Sequence, residues 1–119
     1  MVTMPNENEG SRDVENMLKD YQVLQEQMKA VAIQIEQLRG QKLEAEKALD
    51  ELEKAAGKVY FTVGGVIVET SKEKALGDLK DRMELNAVRM QSANKQYDEL
   101  KSKEKELGDR IMKAYKQSQ

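Results

Sequence analysis

Along most of this chain, apolar residues recur at alternating steps of three and four, the spacing that aligns them on one helical face as a coiled-coil seam. In the first half Val14, Tyr21, Met28, Ile35, Leu49 and Ala56 take one seam position, and Met17, Leu24, Val31, Leu38, Ala45 and Leu52 take the other. Lys42 interrupts the first series. In the second half Leu76, Met83, Met90, Tyr97 and Ile111 alternate with Leu79, Ala93, Leu100, Leu107 and Ala114, and Asn86 and Glu104 interrupt them. Between the halves the pattern changes character. Val59-Tyr60-Phe61-Thr62-Val63-Gly64-Gly65-Val66-Ile67-Val68-Glu69-Thr70 is the only run of β-branched and aromatic residues, and Gly64-Gly65 supplies the two positive-φ positions of a two-residue hairpin turn. Pairing outward from that turn sets Val63 opposite Val66, Phe61 opposite Val68 and Val59 opposite Thr70 on one face. Thr62 with Ile67 and Tyr60 with Glu69 fall on the other.

These signals divide the chain into residues 1–10, a polar tail; 11–57, a first helix; 58–70, the hairpin; 71–116, a second helix; and 117–119, a fraying end. Ser11 is the expected N-cap of the first helix, with Asp13 and Glu15 in its first turn, and Gly57 its stop. Thr70 and Glu73 read as a capping box opening the second helix. Glu15/Lys19, Asp50/Lys54, Asp78/Arg82 and Glu99/Lys103 are outer-face pairs at i,i+4. Each helix is about 45 residues, or roughly 65 to 70 Å at 1.5 Å per residue. Because a hairpin returns the chain on itself, matched helices with matching seams zip most simply into an antiparallel coiled coil. The fold class is therefore mainly α: two long helices with a single β-hairpin at the connecting end. Lys42 and Asn86, with Ala45 and Ala93, make a polar and thin stretch of seam, readable either as a register-fixing device or as a flexible joint.

Composition excludes several functions. Only 4% of residues are aromatic while 35% are charged, which leaves no material for a thick globular core. Histidine and cysteine are absent, so the commonest general base, thiolate zinc sites and disulfides are missing, and the carboxylates lie along outer helical faces without a cleft. No catalytic residue, metal site or cofactor is expected. Gly64-Gly65 is followed by a strand rather than a helix, which excludes a P-loop. Twenty basic against 22 acidic residues, interleaved, provide no basic stripe for nucleic acid, and no apolar run approaches a membrane span. A soluble, cytoplasmic, non-enzymatic protein is the expectation. An isolated two-stranded hairpin is marginal in water and exposes two strand edges, so the missing strands must come from other chains.

Tyr60-x-x-Val63-Gly64-Gly65-Val66-x-Val68-Glu69, set between two long heptad helices, resembles the hairpin signature of prefoldin subunits, and the single hairpin places the resemblance with the β class. The likeness runs from about Val14 to Tyr115. It implies an ATP-independent cochaperone in which two α subunits, each with two hairpins, and four β subunits pool their hairpins into an intersubunit β-barrel body. Six coiled-coil arms extend from that body, capture unfolded proteins and pass them to a group II chaperonin. By the same resemblance Val59, Tyr60, Phe61, Val63, Gly64, Gly65, Val66, Ile67 and Val68 are assembly residues. Client binding near the arm ends then falls to Val14, Met17, Leu18, Tyr21 and Leu24 on the first helix, and to Leu107, Ile111, Met112 and Tyr115 on the second. Leu18 and Met112 lie off the seam and are expected to be exposed even in a zipped arm. Gly108 weakens the helix nearby by roughly 1 kcal/mol relative to Ala, which favours opening of the last turns. The rival reading from another class is a structural spacer that oligomerises through its hairpin without binding unfolded protein; a nucleic-acid-binding arm is disfavoured by the charge balance.

Overall fold

The computed structural model describes residues 7–117; the expectations for residues 1–6 and 118–119 lie outside this range. The element order is α1 (Glu7–Lys54), β1 (Val59–Val63), β2 (Val66–Thr70) and α2 (Lys72–Gln117). Residues 7–10, expected in the tail, are helical, and Ser11 stands inside α1 rather than capping it. A mid-helix glycine such as Gly10 costs only about 1 kcal/mol against Ala, too little to stop a helix whose later turns are held by packing. At its other end α1 stops at Lys54, earlier than expected, with Ala55 N–H donating to Leu52 O at 3.2 Å in a closing tight turn. Gly57 lies beyond that end at φ 104°, in the link to β1.

The start of α2 also differs from expectation. Thr70 is taken by the sheet, where it pairs with Val59, so it cannot cap. Ser71 does so instead: its Oγ accepts from Lys74 N–H at 3.1 Å, and its carbonyl accepts the first helical bond from Ala75 at 3.0 Å.

The chain forms two compact units, one of Met1–Ile33 with Asn94–Gln119 and the other of Gln34–Ala93. In the first, here the terminal unit, Val31 and Leu100 are buried, and Val14, Met17, Tyr21, Leu24, Met28, Tyr97, Leu107, Ile111 and Ala114 are half-buried. Gly108 lets α2 pass close to Tyr21; a Cβ there would lie 3.6 Å from the ring's Cε2, an ordinary contact. Helix α2 runs unbroken through Gly108 to Gln117, so the turns expected to open are closed in this structure.

In the second, the hairpin unit, Ile35, Leu38 and Ala93 are buried, and Ala45, Leu49, Leu52, Leu76, Leu79, Met83 and Met90 are half-buried. Every heptad position assigned from the sequence in the two units is buried or half-buried except Lys42 and Ala56. Lys42 is exposed, and Ala56 lies exposed past the end of α1, where its neighbour Ala55 is half-buried. Asn86 crosses the seam: its Nδ2 donates to Leu38 O at 3.2 Å and to Gln41 Oε1 at 3.3 Å. Its Oδ1 is buried without a partner. An interhelical bond to one specific carbonyl sets the register, and the orphaned oxygen carries a desolvation cost of about 1 to 3 kcal/mol.

Replacing Asn86 with Leu removes both the orphan and the bond. The variant is expected to be more stable by about 1 kcal/mol, read as a higher urea midpoint at unchanged slope. A lower midpoint would show that the two donated bonds outweigh the buried oxygen.

Candidate functional site

Two apolar surfaces stand out on an otherwise charged chain, one in each unit. The first is the hairpin. Strands β1 and β2 pair antiparallel as Val59 with Thr70, Tyr60 with Glu69, Phe61 with Val68, Thr62 with Ile67 and Val63 with Val66, the register expected from the sequence. Gly64 (φ 54°) and Gly65 (φ 81°) make the turn; two consecutive positive angles suit the right-handed twist of the strands and favour glycine at both places. Among the described residues the sheet has two strands, so each strand keeps an outer row of backbone groups with no described strand beside it. Tyr60, Phe61, Val63, Val66, Ile67 and Val68 are all exposed, Ile67 to 69% and Val66 to 61%, and Val59 is half-buried. Full burial of such side chains is worth roughly 1.5 to 3 kcal/mol each, and most of that is unclaimed here.

The hairpin is held at its root by a residue the sequence did not single out. Lys72, in the first turn of α2, donates from Nζ to Glu53 O at 2.8 Å and Ala55 O at 3.2 Å. These are carbonyls at the C-terminal end of α1, where a cation also meets the negative end of the helix dipole. One side chain thus ties the end of α1 to the start of α2 across the base of the hairpin. A lysine in a helix's first turn carries no sequence signal for this, because its partners become neighbours only once the chain has turned back. The pair between Lys58, which precedes β1, and Glu69 of β2, at 3.9 Å and well exposed, contributes little.

The second surface lies in the terminal unit. Of the nine residues expected there, Val14, Met17, Tyr21, Leu24, Leu107 and Ile111 are half-buried in the seam, whereas Leu18, Met112 and Tyr115 are exposed, Leu18 to 47% and Met112 to 57%. Val23 and Ile33 of the same unit are also exposed and were not anticipated; their signal was available, since both are apolar at outer heptad positions. In the hairpin unit Leu43, Leu85 and Val88 are exposed apolar residues of the same kind.

Among the described residues, no group of three or more acidic, histidine or cysteine side chains is placed to hold a metal ion, and no helix is long and apolar enough to cross a membrane. What the two surfaces offer chemically is area: the hairpin adds unpaired strand edges to it, and the terminal unit adds adaptable methionine.

A family model described as "Prefoldin subunit" matches residues 15–118. A protein of Methanosarcina acetivorans named prefoldin subunit beta is 37% identical over 103 residues, spanning 85% of this chain and 88% of that one. The prefoldin subunit beta of Pyrococcus furiosus is 39% identical over the same share of each. Among solved structures, the crystal structure of the prefoldin beta subunit from Thermococcus strain KS-1 matches with a TM-score of 0.80 and 35% identity, covering 96% of both chains.

Exchanging Lys72 for Met keeps the aliphatic stem and removes the donor. The expected loss is about 1 to 2 kcal/mol of stability in urea unfolding, with Lys72→Arg recovering part of it. An unchanged midpoint for the Met variant would show that water replaces the ammonium without loss.

Proposed function

The chain belongs to the prefoldin subunit family, as a counterpart of its β subunits, and from that premise we propose that it is an ATP-independent chaperone subunit that works by binding alone. Its hairpin joins those of other subunits, including an α-class partner with two hairpins, in a hexamer of two α and four β chains in the cytoplasm. Val59, Tyr60, Phe61, Val63, Val66, Ile67 and Val68 fill the shared barrel, with Gly64 and Gly65 turning the strands. The terminal-unit surface holds unfolded clients and yields them to a group II chaperonin.

The observation that carries this reading is the pair of exposed apolar surfaces on a chain with 35% charged residues. A two-stranded sheet with exposed side chains on both faces needs neighbours, which supports assembly at the hairpin. Leu18 and Met112 stay exposed beside a closed seam, so an apolar segment can be gripped without unzipping the helices. Magnitudes fit capture followed by release. One such side chain contributes at most roughly 1.5 to 3 kcal/mol, so a single arm grips weakly. Several arms around one client raise the effective concentration and turn weak grips into avidity, and a competing surface is enough to take the client away.

The double variant Leu18→Ser with Met112→Ser tests the client surface. Both positions are off the seam, so assembly is expected to be unchanged by mass while suppression of client aggregation, followed by light scattering, falls several-fold. A second variant, Met17→Ser with Ile111→Ser, loosens the seam and should weaken suppression further. Intact suppression in both variants would remove the client site from this surface, and a protein that assembles without ever suppressing aggregation would be a spacer.

A further inference from the structure

The packing sorts the methionines of the described residues unequally. Met17, Met28, Met83 and Met90 are half-buried at seam positions, whereas Met112 stands 57% exposed. The difference follows from register, since Met112 comes directly after the seam residue Ile111 and so lies off the seam. Gly108 and Tyr21 locate it further. A Cβ on Gly108 would lie 3.6 Å from the Tyr21 ring. With the helices running in opposite senses, Met112, a turn after Gly108, falls near the level of Leu18, a turn before Tyr21. Beside them opens a groove of about 650 Å³ whose lining includes Tyr21, Lys105, Gly108 and Asp109, so water and small solutes reach this part of the unit.

Exposure and place have separate consequences. A thioether sulfur attacks the O–O bond of a hydroperoxide and takes one oxygen to become the sulfoxide, while water or an alcohol leaves; sulfur gives up an electron pair and the peroxide accepts it. The sulfur must meet the oxidant, which favours Met112 over the four seam methionines. The product is polar. In the seam a sulfoxide would be forced into apolar packing and would loosen the helices. At Met112 the added oxygen stays in water, so the fold is kept and only apolar surface is lost.

We propose that Met112 is a reversible oxidation site that switches off the terminal-unit surface. Hydroperoxide converts it first among the described methionines, and the sulfoxide lets clients go while the helices remain zipped. This rests on the reading of that surface as the client site. It gives a protein that works without ATP a chemical trigger for release besides a competing surface.

Limited treatment of the assembled protein with hydrogen peroxide, followed by peptide mass and by light scattering of an aggregating client, tests the switch. Met112 is expected to take up oxygen at least about fivefold faster than Met17, Met28, Met83 or Met90, with helix content by circular dichroism unchanged. Suppression of aggregation falls several-fold in step with that uptake, and it returns when the two methionine sulfoxide reductases, one for each epimer, remove the oxygen. In Met112→Leu, treated and untreated samples are expected to suppress aggregation equally, whatever their common level. Met1 and Met4, outside the described residues, are still present in that variant, so a loss that persists there would assign the effect to another methionine and overturn the switch. Uptake at a seam methionine as fast as at Met112 would overturn it too, and so would full oxidation of Met112 with suppression intact. If that last result came while Leu18→Ser with Met112→Ser still lost suppression, the client surface would stand and the switch alone would fail. A protein that never suppresses aggregation, treated or untreated, removes both.

Discussion

The constraint on which this molecule depends is the open backbone along the outer edges of two five-residue strands. Inside the hairpin each strand satisfies half of its hydrogen-bonding groups; outside it, no further strand is available among the described residues. Water can serve those groups, but it cannot serve the apolar side chains on both faces of so thin a sheet. A partner that adds a strand answers both needs at once. The helices then have a simple duty toward the hairpin: to present it in one orientation. The Lys72 bonds to Glu53 and Ala55 do this at its root, and the Ser71 cap fixes where α2 starts.

Within each unit the packing is thin. Among the described residues five side chains are buried, all apolar, and none of them is large and completely enclosed. A seam of this kind derives its stability from many half-buried contacts, so a single polar residue in it matters. Asn86 gives up stability to name one carbonyl of α1 as its partner. That favours the register-fixing reading of the polar seam, since a hydrogen bond between helices opposes free sliding. Lys42, by contrast, is exposed, as long cationic side chains commonly are.

Much of this was legible from the residues. Heptad spacing located the seam with two exceptions in two helices, and the alternation around Gly64-Gly65 gave the strand register without error. Both signals are periodic, and periodicity survives local detail. Element ends were less legible because they are decided by competition. Thr70 had the right spacing to cap α2 but was already engaged with Val59, so the role passed to Ser71. Gly57 had the right identity to end α1, yet the helix stopped before reaching it. Contacts made by long side chains across the chain reversal, such as those of Lys72, leave no trace in spacing. For the terminal-unit surface, off-seam position predicted the exposure of Leu18 and Met112, while Val23 and Ile33 were passed over although the same rule applied to them.

The central claim is that the strands persist only in company. Amide hydrogen exchange of the segment Val59–Thr70, followed as the purified chain and its assemblies are diluted, addresses it most directly. The account predicts slow exchange in the assembled protein and rapid exchange there once dilution yields single chains, with the buried seam around Leu38 and Ala93 losing less protection. Strand amides equally protected in a monomer would contradict it.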